Sequence, residues 1–244
     1  MIKRFLSGGC SFSMVPVMFK GISIENWPVH VENYLQVPSI HTGLAAAGNS
    51  FILKSVLYQL SQIENKSDLL VGVMWSGADR HMFYNTGRVL LPSEMKGIYK
   101  NHMPMPVKIS GEDAFYFINP NSDYIYSKIY YNTFYDEIGS LIETMQNILT
   151  LQWYLKQYNI RYFMTKFSGY VIPNAIQAEH PDLKYLYDMI DFSEWLPGSD
   201  MMSFCKESGL PNVLPNDQHP STEQSKLYTE QVIMPYLKNK GYIE

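Results

Sequence analysis

A chain of 244 residues, 46% of them apolar and 17% charged, has ample material for one sizeable core and none of the low-hydrophobicity signature of disorder. Nineteen basic against 23 acidic residues give a formal charge of −4, and no Lys/Arg run forms a phosphate-tracking stripe, which argues against nucleic acid as a partner. Cys10 and Cys205 are too few for a disulfide scaffold or a cysteine-rich zinc site; they fit a reducing compartment, with a single bridge between them as the alternative.

Ile2 to Leu6 reads as a short strand that Gly8-Gly9 breaks, with a helix expected to follow. Lys3-Arg4 followed by a small-residue run ending in Cys10 superficially resembles a lipoprotein signal, but the apolar stretch is too short for a signal peptide. No segment approaches the length that spans a bilayer, so no membrane partner is expected and the location is read as cytoplasmic. Ser39 to Ala47 is a second extended candidate. Gly48-Asn49-Ser50 then leads into Phe51, Ile52, Val56, Leu57 and Leu60 at helical spacing. Asp68 to Trp75 is nearly continuous apolar sequence, the pattern of a central parallel strand covered on both faces.

From about His81 to Tyr135 the periodicity is lost. Pro92, Pro104, Pro106 and Pro120 interrupt it, and a dense aromatic series runs through Phe115, Tyr116, Phe117, Tyr124, Tyr126, Tyr130, Tyr131, Phe134 and Tyr135. This stretch, residues 81–135, is expected to be an insertion within one domain spanning 1–244. Its aromatics form the core of a small subdomain or a homo-oligomer interface, with stacking faces for sugars as the alternative. Asp136 through Gln157 then carries apolar residues at helical intervals, with Ser140 and Glu143 spaced for a capping box. Asn159 to Lys166 reads as a fourth strand and residues 181–190 as a helix. Ser221 with Gln224 opens a closing helix to about Leu237, where Pro235 implies a kink or an early end. Strands alternating with helices predict an α/β fold, a three-layer α/β/α sandwich around a mainly parallel, flavodoxin-like sheet. Ligands bind such folds outside the carboxyl ends of the strands.

Gly8-Gly9-Cys10-Ser11-Phe12-Ser13 places a hydroxyl directly after the first strand. Serine is a weak nucleophile without a base, and Asp217-Gln218-His219 supplies a carboxylate with an imidazole near the other end of the chain. His30, His41, His81, His102 and His180 have no comparable acidic neighbourhood, and the histidine spacing suggests no metal.

Gly9-Cys10-Ser11-Phe12 after strand one, a mid-chain Gly48-Asn49, and Asp217-Gln218-His219-Pro220 follow one another as in the SGNH (GDSL-like) hydrolases, which this chain resembles over almost its whole length. The resemblance implies a cofactor-free serine esterase. Ser11 would attack an ester carbonyl, His219 would take its proton, and Asp217 would orient the ring. The oxyanion would be met by the backbone N–H groups of Ser11 and Gly48 and by a side-chain amide after the third strand. Family members carry Gly-x-Asn-Asp there, whereas this chain has Trp75-Ser76-Gly77-Ala78-Asp79-Arg80, so Asn49 or Ser76 is the expected substitute. The family's acid lies three residues before the histidine, where Asn216 stands. Asp217, two before it, is preferred here.

Arg80 is expected on the rim of the site, gripping an acidic or hydroxyl-rich substrate, or else holding a structural ion pair. The expected substrate is a small-molecule or glycan ester. Transfer of the acyl group to a sugar hydroxyl, and a binding protein that kept the fold without the activity, remain alternatives.

Overall fold

A computed structural model describes residues 1–15, 17–19, 21–85, 114–121, 125–172 and 180–244. The chain begins with β1 (Arg4–Gly8) and a single 3-10 turn at Ser11–Ser13. The helix expected directly after Ser11 is not formed. A hairpin follows instead, β2 (Val17–Phe19) against β3 (Ile22–Ile24), and only then α1 (Trp27–Leu35), opened by Asn26 and Pro28. β4 (Ser39–His41) is shorter than the Ser39 to Ala47 stretch read as extended. The backbone after it closes on the Ser11 turn so tightly that a Cβ on Gly43 would lie 2.2 Å from the Ser13 carbonyl oxygen.

α2 (Asn49–Gln62) and β5 (Leu69–Trp75) match the periodicity of their sequences. β6 (His81–Asn85) pairs antiparallel with β7 (Ala114–Ile118), and α3 (Ile125–Thr133) completes what is described of the 81–135 insertion. Pro92, Pro104, Pro106 and Tyr124 lie outside the described residues. α4 (Glu137–Gln157) runs as one helix. Its cap is Asp136, which accepts from the Gly139 N–H at 2.7 Å, rather than the Ser140–Glu143 pair. Glu143 is engaged elsewhere, by the Ser50 hydroxyl at 2.5 Å.

β8 (Arg161–Lys166), α5 (Pro181–Met189) and α6 (Met201–Glu207) follow. The Ser221–Gln224 capping box opens α7 (Thr222–Tyr228). Pro235 neither ends nor breaks the closing helix. A π-helical stretch at Thr229–Ile233 absorbs the missing N–H, and α8 (Met234–Asn239) carries on.

Four strands make a parallel sheet in the order β4-β1-β5-β8. Alternate side chains of β5 sort into two cores. Leu69, Val71, Val73 and Trp75 pack with α2, α4 and α5, whereas Leu70 and Met74 join Phe5, Phe163 and the buried faces of α1, α6, α7 and α8. Helices therefore cover both faces, and that is why all seven residues of β5 are buried. Gly72 interrupts the strand because the Phe163 ring occupies its side-chain space, at 2.5 Å from a Cβ built there. Among the described residues, no helix is long and apolar enough to cross a membrane. Both cysteines are free and buried, so the bridge considered from sequence is not made.

Candidate active site

Strand order reverses at β1: the chain goes from β1 outward to β4, then returns to place β5 on the other side. Loops leaving the carboxyl ends of β1 and β5 consequently diverge and leave a crevice. The Ser11 turn leaves β1, and Ser76–Arg80 leaves β5.

The Ser11 turn is held from several sides. A Cβ on Gly9 would sit 2.3 Å from Ser13 Oγ, so the turn closes only with glycine there. The Ser13 hydroxyl oxygen accepts from Trp27 Nε1 at 2.9 Å. Asn26, nearly fully buried, donates to the carbonyls of Ser11 at 3.0 Å and Met14 at 2.9 Å. Cys10 is buried in the second core with Phe5 and Trp27, which turns the thiol inward, while Ser11 remains partly exposed.

The other half of the site comes from the approach to α7. Tyr228 fixes that helix to the sheet through a 2.8 Å hydrogen bond with Thr165 of β8. Gln224 is fully buried, receives the Ser221 N–H and donates to the carbonyls of Cys205 and Leu210. The Asn212 amide donates to the Asp217 carbonyl at 2.7 Å. These bonds fix the loop that carries His219.

The two halves meet. His219 Nε2 lies 2.9 Å from Ser11 Oγ, and Nδ1 lies 2.5 Å from Asp217 Oδ1, which also accepts the His219 backbone N–H at 2.7 Å. A carboxylate only accepts, so the ring proton sits on Nδ1 and the Nε2 lone pair faces the hydroxyl. Phe12 packs on the imidazole with centroids 5.1 Å apart and on Phe167 at 5.4 Å.

Ser11 and His219 open onto a cavity of about 840 Å³. Its apolar wall includes Met14, Met18, Ile24 and Met202, and its polar wall includes Asn119, Asn121, Tyr135 and Gln218. Arg80 lines the same space.

The candidate oxyanion donors are placed less evenly. Ser11 opens the 3-10 turn, and its N–H belongs to the first turn, where backbone donors lack intrahelical partners. Gly48 caps α2, with its Cα packed on the Arg80 carbonyl, but it does not line the cavity. Asn49 is not a free donor. Its amide takes the Ser76 N–H at 2.8 Å, gives to the Ser76 carbonyl at 3.0 Å, and gives to the Thr144 hydroxyl at 3.1 Å, which uses both its hydrogens. Ser76 is fully buried and lies away from the cavity. Neither replaces the missing third-strand asparagine.

Two features escaped the sequence. Asn26 immediately before Trp27-Pro28 is a helix-start pattern, but its grip on the Ser11 turn depends on tertiary approach. His41 does have an acidic partner, Glu32, at 2.9 Å, and its other nitrogen meets the Ser7 hydroxyl at 2.8 Å. This second Ser-His-carboxylate chain opens on nothing, because Ser7 is fully buried in β1. Among the described residues, no group of three His, Cys, Asp or Glu is placed to hold a metal ion.

A model described as a family of unknown function, DUF6071, matches residues 16–244. The chain belongs to that family. The span matched by the DUF6071 model includes Asp217 and His219 and begins five residues after Ser11. No curated protein matches the chain.

Proposed function

We propose that this DUF6071 protein is a serine hydrolase of the SGNH type that cleaves an ester through an acyl-serine intermediate. The observation that carries the reading is the hydrogen-bonded series Ser11 Oγ, His219 Nε2, His219 Nδ1 and Asp217 Oδ1, open at its serine end to a cavity. Nucleophile, base and orienting acid in that geometry are what acyl transfer requires. A parallel sheet with strands in the order second, first, third, fourth, and a site at its switch point, agrees with the flavodoxin-like architecture of that family.

In this mechanism Ser11 Oγ attacks the ester carbonyl carbon while His219 Nε2 takes its proton, and Asp217 stabilises the resulting imidazolium. Collapse of the tetrahedral intermediate breaks the ester C–O bond, and His219 returns the proton to the departing alcohol. Water then attacks the acyl-serine while His219 takes its proton, and collapse of the second tetrahedral intermediate breaks the acyl–Oγ bond, releases the acid and returns that proton from His219 to Ser11 Oγ. The oxyanion is met by the Ser11 N–H at the start of the 3-10 turn. An oxyanion donor is worth about 2.7–4 kcal/mol, so a hole lacking the side-chain amide gives a slow enzyme or a specialised one.

A fluorophosphonate probe tests the reading. Covalent modification mapped to Ser11 supports it. An intact, folded protein that stays unlabelled removes it and leaves a binding role for the cavity.

A further inference from the structure

The loop after β5 is held rigidly by its backbone and not by its charged head group. Asn49 brackets both backbone groups of Ser76, the Tyr131 hydroxyl donates to the Asp79 carbonyl, and the Arg80 carbonyl lies against Gly48 with no room for a Cβ, which would come within 2.5 Å. The Arg80 guanidinium, by contrast, has an aromatic face and little else. Its carbon sits 5.2 Å from the Phe167 ring centroid, and its Nη1 is shielded from solvent with no hydrogen-bond partner among the described residues. Asp79 and Glu137 line the same cavity, yet neither forms a hydrogen bond with Arg80 Nη1.

A buried, charged N–H without an acceptor costs stability, and such groups in native proteins are ordinarily satisfied by something. The guanidinium fork matches two oxygens of one carboxylate or phosphate. We infer that Arg80 recognises an oxyanion group on the substrate, so that the ester cleaved is one carried by an anionic molecule such as an acylated sugar acid or sugar phosphate. The reaction named here rests on the hydrolase reading; the anion site does not. Phe167 and Phe12 separate the guanidinium from the imidazole, at successive centroid distances of 5.2, 5.4 and 5.1 Å. Ser11, His219 and Arg80 line one cavity, so the anionic group and the ester are carried by a single molecule that fills it.

The test compares three probes, O-acetylated glucuronic acid, its methyl ester, and O-acetylated glucose 6-phosphate, on the full chain and on Arg80→Gln and Arg80→Lys. Expected is a kcat/KM for the charged probes about tenfold or more above that of the neutral ester, lost in Arg80→Gln and partly kept in Arg80→Lys through a raised KM. The better of the two charged probes identifies the group as carboxylate or phosphate. Ser11 labelling without any charge preference overturns the inference and leaves the hydrolase reading standing. Absence of Ser11 labelling, together with Arg80-dependent binding of glucuronate or inorganic phosphate in calorimetry, keeps the anion site and removes the hydrolase reading. Should Arg80→Gln fail to fold, glucuronate and inorganic phosphate are tested as competitors of Ser11 labelling in the unaltered protein. Slower labelling with either supports the site, and no effect from both overturns it.

Discussion

Asn26 holds the Ser11 carbonyl at 3.0 Å with the same amide that holds Met14, so the residue that opens α1 also sets the turn carrying the hydroxyl. Asn26→Ala leaves two carbonyls without their donor, a loss of about 1–3 kcal/mol in stability. It also lets the Ser11 turn drift. The expected result is a lower midpoint in thermal unfolding together with fluorophosphonate labelling slowed by roughly ten- to a hundredfold, measured below that midpoint. Labelling at the unaltered rate removes Asn26 from the positioning of Ser11.

Ser11→Ala is expected to abolish turnover of a short-chain aryl ester while leaving the thermal transition nearly unchanged, because the hydroxyl is partly exposed and bonds only across the site. Asp217→Asn keeps the shape but cannot hold the ring in the required tautomer, and the expected loss in kcat is roughly 10⁴-fold. Asn216→Ala is expected to be close to neutral. Reversal of that order assigns the orienting role to position 216.

The Ser7–His41–Glu32 chain gives a control within the same molecule. Its hydrogen bonds resemble those at Ser11, but Ser7 is at 0% exposure. In Ser11→Ala no serine is expected to take up a fluorophosphonate, read by intact mass. A label on Ser7 means that β1 opens to solvent, contrary to its burial here.

Removal of the Asn49 amide in Asn49→Ala unties Ser76 and Thr144 at once, and unfolding in urea is expected to report a loss of about 1–3 kcal/mol. A loss of turnover without a loss of stability points instead to a direct part in the reaction.

Lys156 donates to Asp191 at 2.5 Å, and the Ser193 N–H joins it, holding the Asp191 carboxyl down to about 2. A carboxyl depressed in the folded state contributes stability above its unfolded value near 3.9, and that contribution is lost as pH falls through the folded value. The pair is one-third exposed on the aspartate side, so the contribution, discounted for solvent screening, is on the order of 1 kcal/mol. Asp191→Asn is expected to be less stable by that amount at neutral pH, with the gap narrowing below about pH 4 in urea titrations. A gap that does not change with pH assigns the effect to hydrogen bonding by Ser193 alone.

Local chemistry made some elements legible and left others hidden. Leu69–Trp75 stood out because a strand covered on both faces needs apolar residues at every position, and Ser221–Gln224 because a capping box is written within four residues. The Ser11 turn and Asp217–His219 were legible as separate fragments. Each is a short run of characteristic chemistry, although their meeting depends on the winding of the sheet. Asn26, Asn49 and Glu32 were not legible, since each acts on a partner brought near only by tertiary packing. β2 and β3 are three residues each and leave no periodicity to detect. The π-helical stretch before Pro235 was not legible, because it has no sequence signature of its own.

Ser11 and His219 stand 208 positions apart along the polymer. On a ribosome adding about 5–20 residues per second, the hydroxyl waits roughly ten seconds or longer before its imidazole exists at all. The sheet can be fully laid down in that interval while the pair is still open. A product truncated between Lys166 and Asp217 carries every described strand and the Ser11 turn but neither Asp217 nor His219, so its hydroxyl has no imidazole to meet.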